Sequence, residues 1–252
     1  RGKAPGAALP CLGAAEKLPS GLRRYGKVSG AETFYDWVGE SARESVRTVA
    51  LSLRAMQEHA GYSVVIAGMG REEDGAPFSL LLASELAAEG FDVLLMELDA
   101  YAPALRDYLG VRGAADVLHC MENEAALRAA ILPTAVSRLC FMDVCHGPGF
   151  VPAMAATAAF ASFLSDAAHS FDYVFLNAPP VDCANDAAML GTVADMTVLL
   201  AKDGKRSVEE IDGEAARLSR VVRRLGGYAL TQTPGRRLRV PRGARTQASL
   251  KA

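Results

Sequence analysis

Short apolar strands alternate with helical segments along most of the chain, and this alternation limits the fold more than any other feature. Half of the 252 residues are hydrophobic, so the chain can bury a sizeable core. Continuous apolar strands are typical of a parallel sheet covered by helices on both faces. The sequence therefore predicts an α/β fold, a three-layer sandwich with a mostly parallel central sheet, whose ligands gather at the carboxyl ends of its strands. Five segments predict the buried strands: YSVVIAG (62–68), FDVLLMELD (91–99), RLCFMDV (138–144), FDYVFLNAPP (171–180) and DMTVLLAK (195–202).

The remaining segments predict the helices and the domain boundaries. The patterns favour helices over 34–59, 77–89, 151–168 and 207–227, a helix-rich stretch over 101–132 and a last strand over 228–233. Residues 1–33 are rich in Gly, Pro, Ala and basic residues and predict an irregular lead-in. Residues 234–252 are basic and predict a disordered tail, which leaves 34–233 as one domain.

The turn after the first predicted strand has the glycines of a phosphate-binding loop but not its charged parts. Gly70 and Gly75 fit the spacing of the Walker A pattern G-x-x-x-x-G-K-[ST], while Ala76 stands at the lysine and Pro77 at the hydroxyl position. In a working loop the glycines let backbone amides point at phosphate oxygens, the lysine neutralises phosphate charge, and the hydroxyl holds Mg²⁺. Two of these three parts are missing.

Acidic residues in the same loop also oppose phosphate binding. Positions 72–74 are consecutive acids, and Arg71 offsets only part of their charge. One carboxylate about 4 Å from a phosphate charge repels it by roughly 1 kcal/mol in water and about 4 kcal/mol at an effective dielectric of 20. We therefore expect no tight ATP·Mg binding. The alternative is an acidic surface loop that begins a helix, with Pro77 in the first turn and Asp74 or Gly75 as the cap.

Charge and cysteine usage narrow the classes of function. The net charge of −2 gives no reason to expect nucleic acid as a partner. No run of about 18 apolar residues predicts a membrane span. Because the chain begins with Arg1 rather than Met, we expect a fragment or a processed product, with a membrane segment upstream as one option. The five cysteines contain no C-x-x-C pair and predict reduced thiols. A metal site from Cys140, Cys145 and His146 is an alternative without the usual zinc spacing.

Several stretches match, in order, the pattern of one known family. They are LPCLGAAEKLPSG (9–21), ESVRTVALSL (44–53), GAADVLHCMENEAALRAAILPT (113–134), FDYVFLNAPP (171–180) and the long segment from VDCANDAAML to SVEEI (181–211). Together they resemble the cytoplasmic domain of bacterial tyrosine kinases of the polysaccharide co-polymerase group, over about residues 9 to 232. The resemblance implies a P-loop NTPase-like fold of the MinD and bacterial tyrosine-kinase type.

The residues that carry the family's chemistry have changed here. The family has an acidic motif D-x-D-x-R after its second strand, whereas LLMELDAY places Glu97 at the first aspartate, Asp99 at the second and Tyr101 at the arginine. Asn177 stands at the aspartate that ends the Walker B strand, and it is a poor Mg²⁺ ligand. In the family these positions hold Mg²⁺ and help activate the attacking tyrosine. Glu97 and Asp99 are the remaining catalytic candidates, although Glu97 also fits an acid at a strand end paired with a local Arg or amide.

The resemblance also assigns the region that would bind a cofactor. The family's nucleotide site maps onto a degenerate phosphate loop together with Asn177 at the Walker B position. The loop positions are Gly70, Arg71, Asp74, Gly75, Ala76 and Pro77. We expect no cofactor and no metal ion at these residues. ATP and Mg²⁺ are expected only if the site is active in an unconventional way.

Partners and location follow from the same resemblance. Arg47 lies at the second arginine of the family's assembly helix and Glu44 replaces the first, so these two are the expected interaction residues of a homo-oligomer. No tyrosine follows Tyr228, so the tail lacks the family's phosphate acceptor. Its basic residues would contact anionic lipid at about 1 kcal/mol each, or be solvated. We expect the cytoplasmic face of the inner membrane, with polysaccharide synthesis and export proteins as partners and fusion to an upstream membrane segment.

The sequence thus favours a catalytically degenerate tyrosine-kinase-like domain of an exopolysaccharide chain-length-determining protein, which acts through protein–protein contacts and not as an enzyme. One alternative is an active ATP-dependent tyrosine autokinase. Another is a MinD-like ATPase or regulatory partner that is not joined to a membrane protein.

Overall fold

A computed structural model of the protein describes residues 9–15, 38, 40–73, 75–111, 129–143 and 149–231. Within these residues eight strands form one sheet: β1 (Cys11–Ala15), β2 (Tyr62–Gly68), β3 (Val93–Glu97), β4 (Leu132–Pro133), β5 (Leu139–Asp143), β6 (Tyr173–Asn177), β7 (Met196–Lys202) and β8 (Leu225–Thr231). Seven helices are described: α1 (Glu40–Met56), α2 (Gly75–Ala88), α3 (Leu105–Leu109), α4 (Phe150–Ala155), α5 (Ala158–Ser170), α6 (Asp186–Val193) and α7 (Val208–Leu218).

The sheet has the order β1-β8-β7-β2-β6-β3-β5-β4. Every neighbouring pair is parallel except the short β4–β5 pair. The prediction of a mostly parallel α/β sheet is confirmed. In this order β2, β6 and β3 lie side by side at the centre, with Ile66 and Glu97 both opposite Asn177. The carboxyl ends of three central strands therefore meet at one place.

Helices cover both faces of the sheet, and neighbouring residues of a central strand therefore pack into two different hydrophobic cores. Val64 and Ile66 belong to the core that also contains Phe78 of α2, whereas Val65 belongs to the core that contains Phe160 of α5. Side chains alternate between the two faces of a strand, so a strand buried on both faces needs apolar residues at every position. The apolar run VVIA (64–67) meets that need, and the buried Ser63 hydroxyl before it donates to Asp195 Oδ2 at 2.6 Å. The predicted three-layer arrangement is confirmed.

Strand β1 corrects the predicted lead-in, because part of 1–33 is not irregular. Cys11–Ala15 pairs in parallel with β8, and the Tyr228 amide donates to the Pro10 carbonyl at 3.1 Å. A side chain at Gly227 would clash with the Pro10 carbonyl and with Leu12, so the close approach of these strands requires glycine there. The predicted tail, 234–252, lies outside the described residues.

Two predicted helices have wrong boundaries. The helix predicted over 207–227 begins after Ser207, whose side chain forms a capping box with Glu210, and it ends at Leu218. The last strand then starts at Leu225 and not at residue 228. The helix predicted over 151–168 is two helices, α4 and α5, because Thr157 caps α5 through Phe160 N at 3.2 Å.

The helix predicted over 34–59 is the shorter α1, which begins at Glu40 and ends at Met56. The helix predicted over 77–89 is α2, which begins two residues earlier. Of the stretch expected to be helix-rich, 101–132, the described part contains α3, while Leu132 already lies in β4. Residues 112–128 lie outside the described part. No described helix has the length and hydropathy that a membrane crossing requires.

Candidate functional site

The carboxyl ends of β2, β6 and β3 position the candidate site. The chain leaves β2 at Gly68 and enters α2 at Gly75, and the loop between them is the degenerate phosphate loop. A side chain at Gly75 would lie 3.6 Å from Asn177 Oδ1, so the loop's second glycine faces the end of β6. The structure therefore brings the phosphate-loop region, the Walker B position and Glu97 together, as parallel topology requires.

A buried hydrogen-bonded cluster, which we call the floor cluster, consists of Ser79, Asn177 and Glu97. The Ser79 hydroxyl donates to Asn177 Oδ1 at 3.0 Å, and Asn177 Nδ2 donates to Glu97 Oε1 at 2.7 Å. All three side chains are at most 2% exposed. The amide nitrogen of Asn177 faces a Glu97 oxygen that also accepts from a backbone amide, which leaves the Asn177 oxygen to accept from Ser79. These hydrogen bonds connect α2 to the carboxyl ends of β6 and β3.

Glu97 accepts further hydrogen bonds from the backbone. Its Oε1 accepts from the Asp99 amide at 3.2 Å, and its Oε2 accepts from the Ala104 and Leu105 amides, each at 2.9 Å. Burial raises the pKa of Glu97 to about 7, and these hydrogen bonds act in the opposite direction. The structure thus ties this carboxylate to local amides at the start of α3.

Asp99 has a local role in the same turn. Its Oδ1 accepts from the Tyr101 amide at 3.0 Å and from the Ala102 amide at 3.1 Å. This pattern, in which an aspartate side chain bonds its own backbone two and three residues on, stabilises a tight turn. Tyr101, at the position of the family's arginine, is half-buried beside it.

The phosphate loop folds around a buried carboxylate of its own. Glu73 is 1% exposed, its Oε2 accepts from the Gly70 amide at 2.8 Å, and its Oε1 accepts from Arg206 Nε at 3.1 Å. Burial raises the pKa of Glu73, while the hydrogen bond from Arg206 lowers it. Arg206 follows β7, so the cation beside this loop comes from another strand end.

The other predicted loop residues have varied surroundings. Ala76 and Pro77 lie in the first turn of α2, where the missing amide hydrogen of proline costs nothing. Arg71 is exposed, and a hydrogen bond to Cys183 raises its pKa, with Asp99 contributing in the same direction. Asp74 lies outside the described residues.

The two predicted interaction residues lie on α1. Arg47 binds Glu44 at 3.0 Å and Glu40 at 2.7 Å, and its Nε donates to the buried Glu85 of α2 at 2.8 Å. These bonds raise the pKa of Arg47. Arg47 therefore connects two helices of the same chain, and its described contacts do not include the phosphate loop.

Sequence reasoning missed the partners of the loop that are far away along the chain. Arg206 contacts Glu73 across 133 positions, and Arg206 Nη2 lies 3.8 Å from Asp182 Oδ2. A usable signal was present, because Arg206 follows the end of a predicted parallel strand and such ends share one edge of the sheet. Sequence reasoning also missed Ser79, because the residues around it match no catalytic motif, whereas its hydroxyl donates to Asn177.

The described residues contain no group of three or more His, Cys, Asp and Glu side chains arranged to hold a metal ion. Cys140 is a half-buried free thiol at β5, and burial raises its pKa. The other two members of the alternative metal site, Cys145 and His146, lie outside the described part of the chain.

Solved structures share the fold of this chain. The sheet, with a loop running from its central strand into a helix at the carboxyl edge, is shared with P-loop ATPases of the MinD type and with bacterial tyrosine-kinase domains. The kinase domain of the Escherichia coli tyrosine kinase ETK superposes with a TM-score of 0.77 at 18% identity, covering 92% of this chain and 94% of that domain.

Sequence comparison identifies homologues of this chain. The chain is 20% identical over 190 residues to tyrosine-protein kinase ptk of Acinetobacter johnsonii and 28% identical over 137 residues to tyrosine-protein kinase CpsD of Streptococcus agalactiae. These matches cover 75% and 54% of this chain, and 26% and 60% of the respective relatives. No family model matches. The homologues of this chain are bacterial tyrosine kinases, as its motif order predicted, and the chain spans part of their length.

Proposed function

We propose that this chain is a catalytically degenerate tyrosine-kinase-like domain, which contributes protein–protein contacts to an exopolysaccharide export system and does not transfer phosphate. The floor cluster carries this proposal. At the place where a kinase would present metal-binding oxygens, Asn177 presents an amide that donates to Glu97 at 2.7 Å. Both oxygens of Glu97 accept backbone hydrogen bonds as well.

The residues of the loop do not fit a magnesium triphosphate. Ala76 has no charge to neutralise a phosphate, and Pro77 has no hydroxyl for the metal. The Gly70 amide, which could point at a phosphate oxygen, donates to Glu73 instead. Mg²⁺ prefers several oxygen ligands in octahedral geometry, and the Asn177 oxygen already accepts from Ser79. We therefore derive no catalytic step through a nucleotide.

The proposed setting follows from the resemblance to polysaccharide co-polymerases. In that setting the domain lies at the cytoplasmic face of the inner membrane, attached to a membrane segment, and binds the synthesis and export proteins. A homo-oligomer through α1 is part of the proposal, and so is contact between the basic tail and anionic lipid. Support comes from the kinase homologues and from the fold.

Isothermal titration of the 252-residue chain with ATP·Mg and with ADP·Mg tests the proposal. We expect no saturable heat below about 1 mM nucleotide, because each loop feature weakens phosphate binding. Titration of Mg²⁺ alone is the control for metal binding elsewhere. A micromolar dissociation constant for either nucleotide would overturn the proposal.

The second candidate is an active autokinase or ATPase that uses Asp99 and Glu97. The observation in its favour is that both sequence homologues are named as tyrosine kinases. Transfer of radiolabel from ATP to the chain, abolished by Asp99→Ala, would support this candidate. Absence of transfer from the wild-type chain would exclude it as an autokinase.

A further inference from the structure

Glu73 closes the phosphate loop on itself. Its carboxylate accepts from the Gly70 amide three residues earlier at 2.8 Å, and its own amide donates back to the Gly70 carbonyl at 3.3 Å. The side chain is buried although it is an acid in a loop. A buried carboxylate is costly unless it is paired, so its inward position needs a specific partner.

Arg206 is that partner, and it lies directly against the loop backbone. Its Nε donates to Glu73 Oε1 at 3.1 Å. A side chain at Gly70 would clash with Arg206 Nη2 and would lie 3.2 Å from Glu73 Oε2. The ends of the Arg206 and Glu73 side chains therefore lie directly beside the backbone of the loop's first glycine.

An amide hydrogen and a guanidinium are groups with which proteins bind phosphate oxyanions. Here the Gly70 amide and Arg206 both bind one anion, and that anion is a side chain of the same chain. We propose that Glu73 is an autoinhibitory residue, which occupies the oxyanion position of the loop, and that Arg206 is the cation of this position in place of the missing loop lysine. This inference rests on the proposed function, in which the wild-type loop holds no nucleotide.

The neighbouring Glu72 provides a matched control. It carries the same charge in the same loop, but its side chain is 64% exposed and lies 3.4 Å from Lys205, which is also exposed. Glu72→Ala and Glu73→Ala change the net charge equally, and only the second removes the anion from the Gly70 amide. A general electrostatic effect would act on both variants alike.

Binding of inorganic pyrophosphate to the full chain, measured by titration calorimetry at fixed ionic strength, tests the proposal. We expect Glu73→Ala to bind at least about tenfold more tightly than wild type, because two charge-assisted donors become available. Glu72→Ala should stay within about twofold of wild type, since exposed charges interact weakly. Adding Arg206→Met to Glu73→Ala should remove the gain.

Equal affinities of the Glu72→Ala and Glu73→Ala variants would overturn the proposal, and so would a gain that survives Arg206→Met. If Glu73→Ala fails to fold by circular dichroism, Glu73→Gln and Glu72→Gln replace the pair, and the same comparison applies. The two proposals fail separately. Micromolar ATP·Mg binding by wild type contradicts the proposed function, whereas the absence of a pyrophosphate gain in the folded variant contradicts the autoinhibitory role of Glu73.

Discussion

Glu73 and Glu97 are both buried carboxylates at the carboxyl edge of the sheet, yet the structure stabilises them differently. Glu73 lies between the Gly70 amide and the guanidinium of Arg206, which reaches it from the end of β7. Glu97 accepts from backbone amides and from the Asn177 side chain, which are neutral donors. Neutral donors stabilise an ionised carboxylate less than a cation does, and burial raises the pKa of Glu97 to about 7. The loop therefore depends on a charge pair, whereas the floor cluster depends on neutral hydrogen-bond donors.

The largest effect is expected from Asn177→Asp, which restores the family's acidic residue. The new carboxylate would lie where an amide now donates to Glu97 at 2.7 Å, so two acids would share a buried site. We expect a loss of about 3–5 kcal/mol in the free energy of unfolding at pH 8, measured by urea denaturation. At pH 5 the loss should shrink, because the pair can then hold a proton.

Asn185→Asp is the matched control for this substitution, since it makes the same change at an exposed N-terminal flank of α6. Its effect should stay within about 0.5 kcal/mol. If Asn177→Asp were as stable as the wild type at pH 8, that result would contradict the role that we assign to the neutral side-chain amide of Asn177.

The next effect is the pH dependence that Glu97 contributes. Its pKa is raised from 4.5 to about 7 in the folded state, so between these values the folded chain binds more protons than the unfolded chain. The contribution to stability is therefore complete below about pH 4.5 and is lost as the pH rises to about 7. The total is on the order of 3 kcal/mol. Urea denaturation of wild type from pH 4.5 to 8 measures it.

Glu97→Gln isolates this contribution from those of other groups. The variant should be less stable throughout, because an amide nitrogen would face a backbone donor, but the difference between the two proteins should narrow as the pH rises. Parallel pH profiles for wild type and Glu97→Gln would show that Glu97 does not titrate in this range.

A smaller effect on stability is expected from Arg206→Met, which tests the ion pair between Arg206 and Glu73. It leaves the Glu73 carboxylate buried without its guanidinium. The cost should be about 2–3 kcal/mol at pH 8, at the lower end for a buried pair, because the Arg206 side chain is 28% exposed. Urea denaturation measures the change.

Two further variants sharpen this result. Arg217→Met breaks a pair with Glu214 on α7 and should cost no more than about 0.5 kcal/mol, as exposed i,i+3 pairs do. Adding Glu73→Gln to Arg206→Met should recover part of the stability, because the buried charge is then absent. A double variant as unstable as Arg206→Met alone would mean that Arg206 acts through packing.

The sheet was predictable because its central strands satisfy a local rule. YSVVIAG and DMTVLLAK contain the consecutive apolar runs VVIA (64–67) and VLLA (198–201), and a strand covered on both faces needs that pattern. β1 was not predictable in this way, because CLGAA contains small residues and no β-branched side chain, and it becomes a strand through pairing with β8. The end of α7 was also missed, because apolar Val221 and Val222 extend the helical period beyond Leu218.

The candidate site was likewise predictable only where its contacts follow from the topology of the sheet. Contacts between strand ends, such as Asn177 with Glu97, followed from parallel topology and from the matching motif order. The orientation of Asn177 did not, because it depends on Ser79 and Glu97 at the same time. The pairing of Glu73 with Arg206 joins two loops that are 133 positions apart, and a local pattern contains no information about such a contact.

The pairing of β1 with β8 also has a mechanical consequence. The two strands are parallel neighbours, and the chain enters β1 at Cys11 and leaves β8 at Thr231, at opposite ends of the pair. A force that pulls Cys11 and Thr231 apart therefore acts along the strands, in shear, and loads all the hydrogen bonds between them at once. Tension transmitted to this domain from both sides would meet its resistance at that ladder before it reached the central strands.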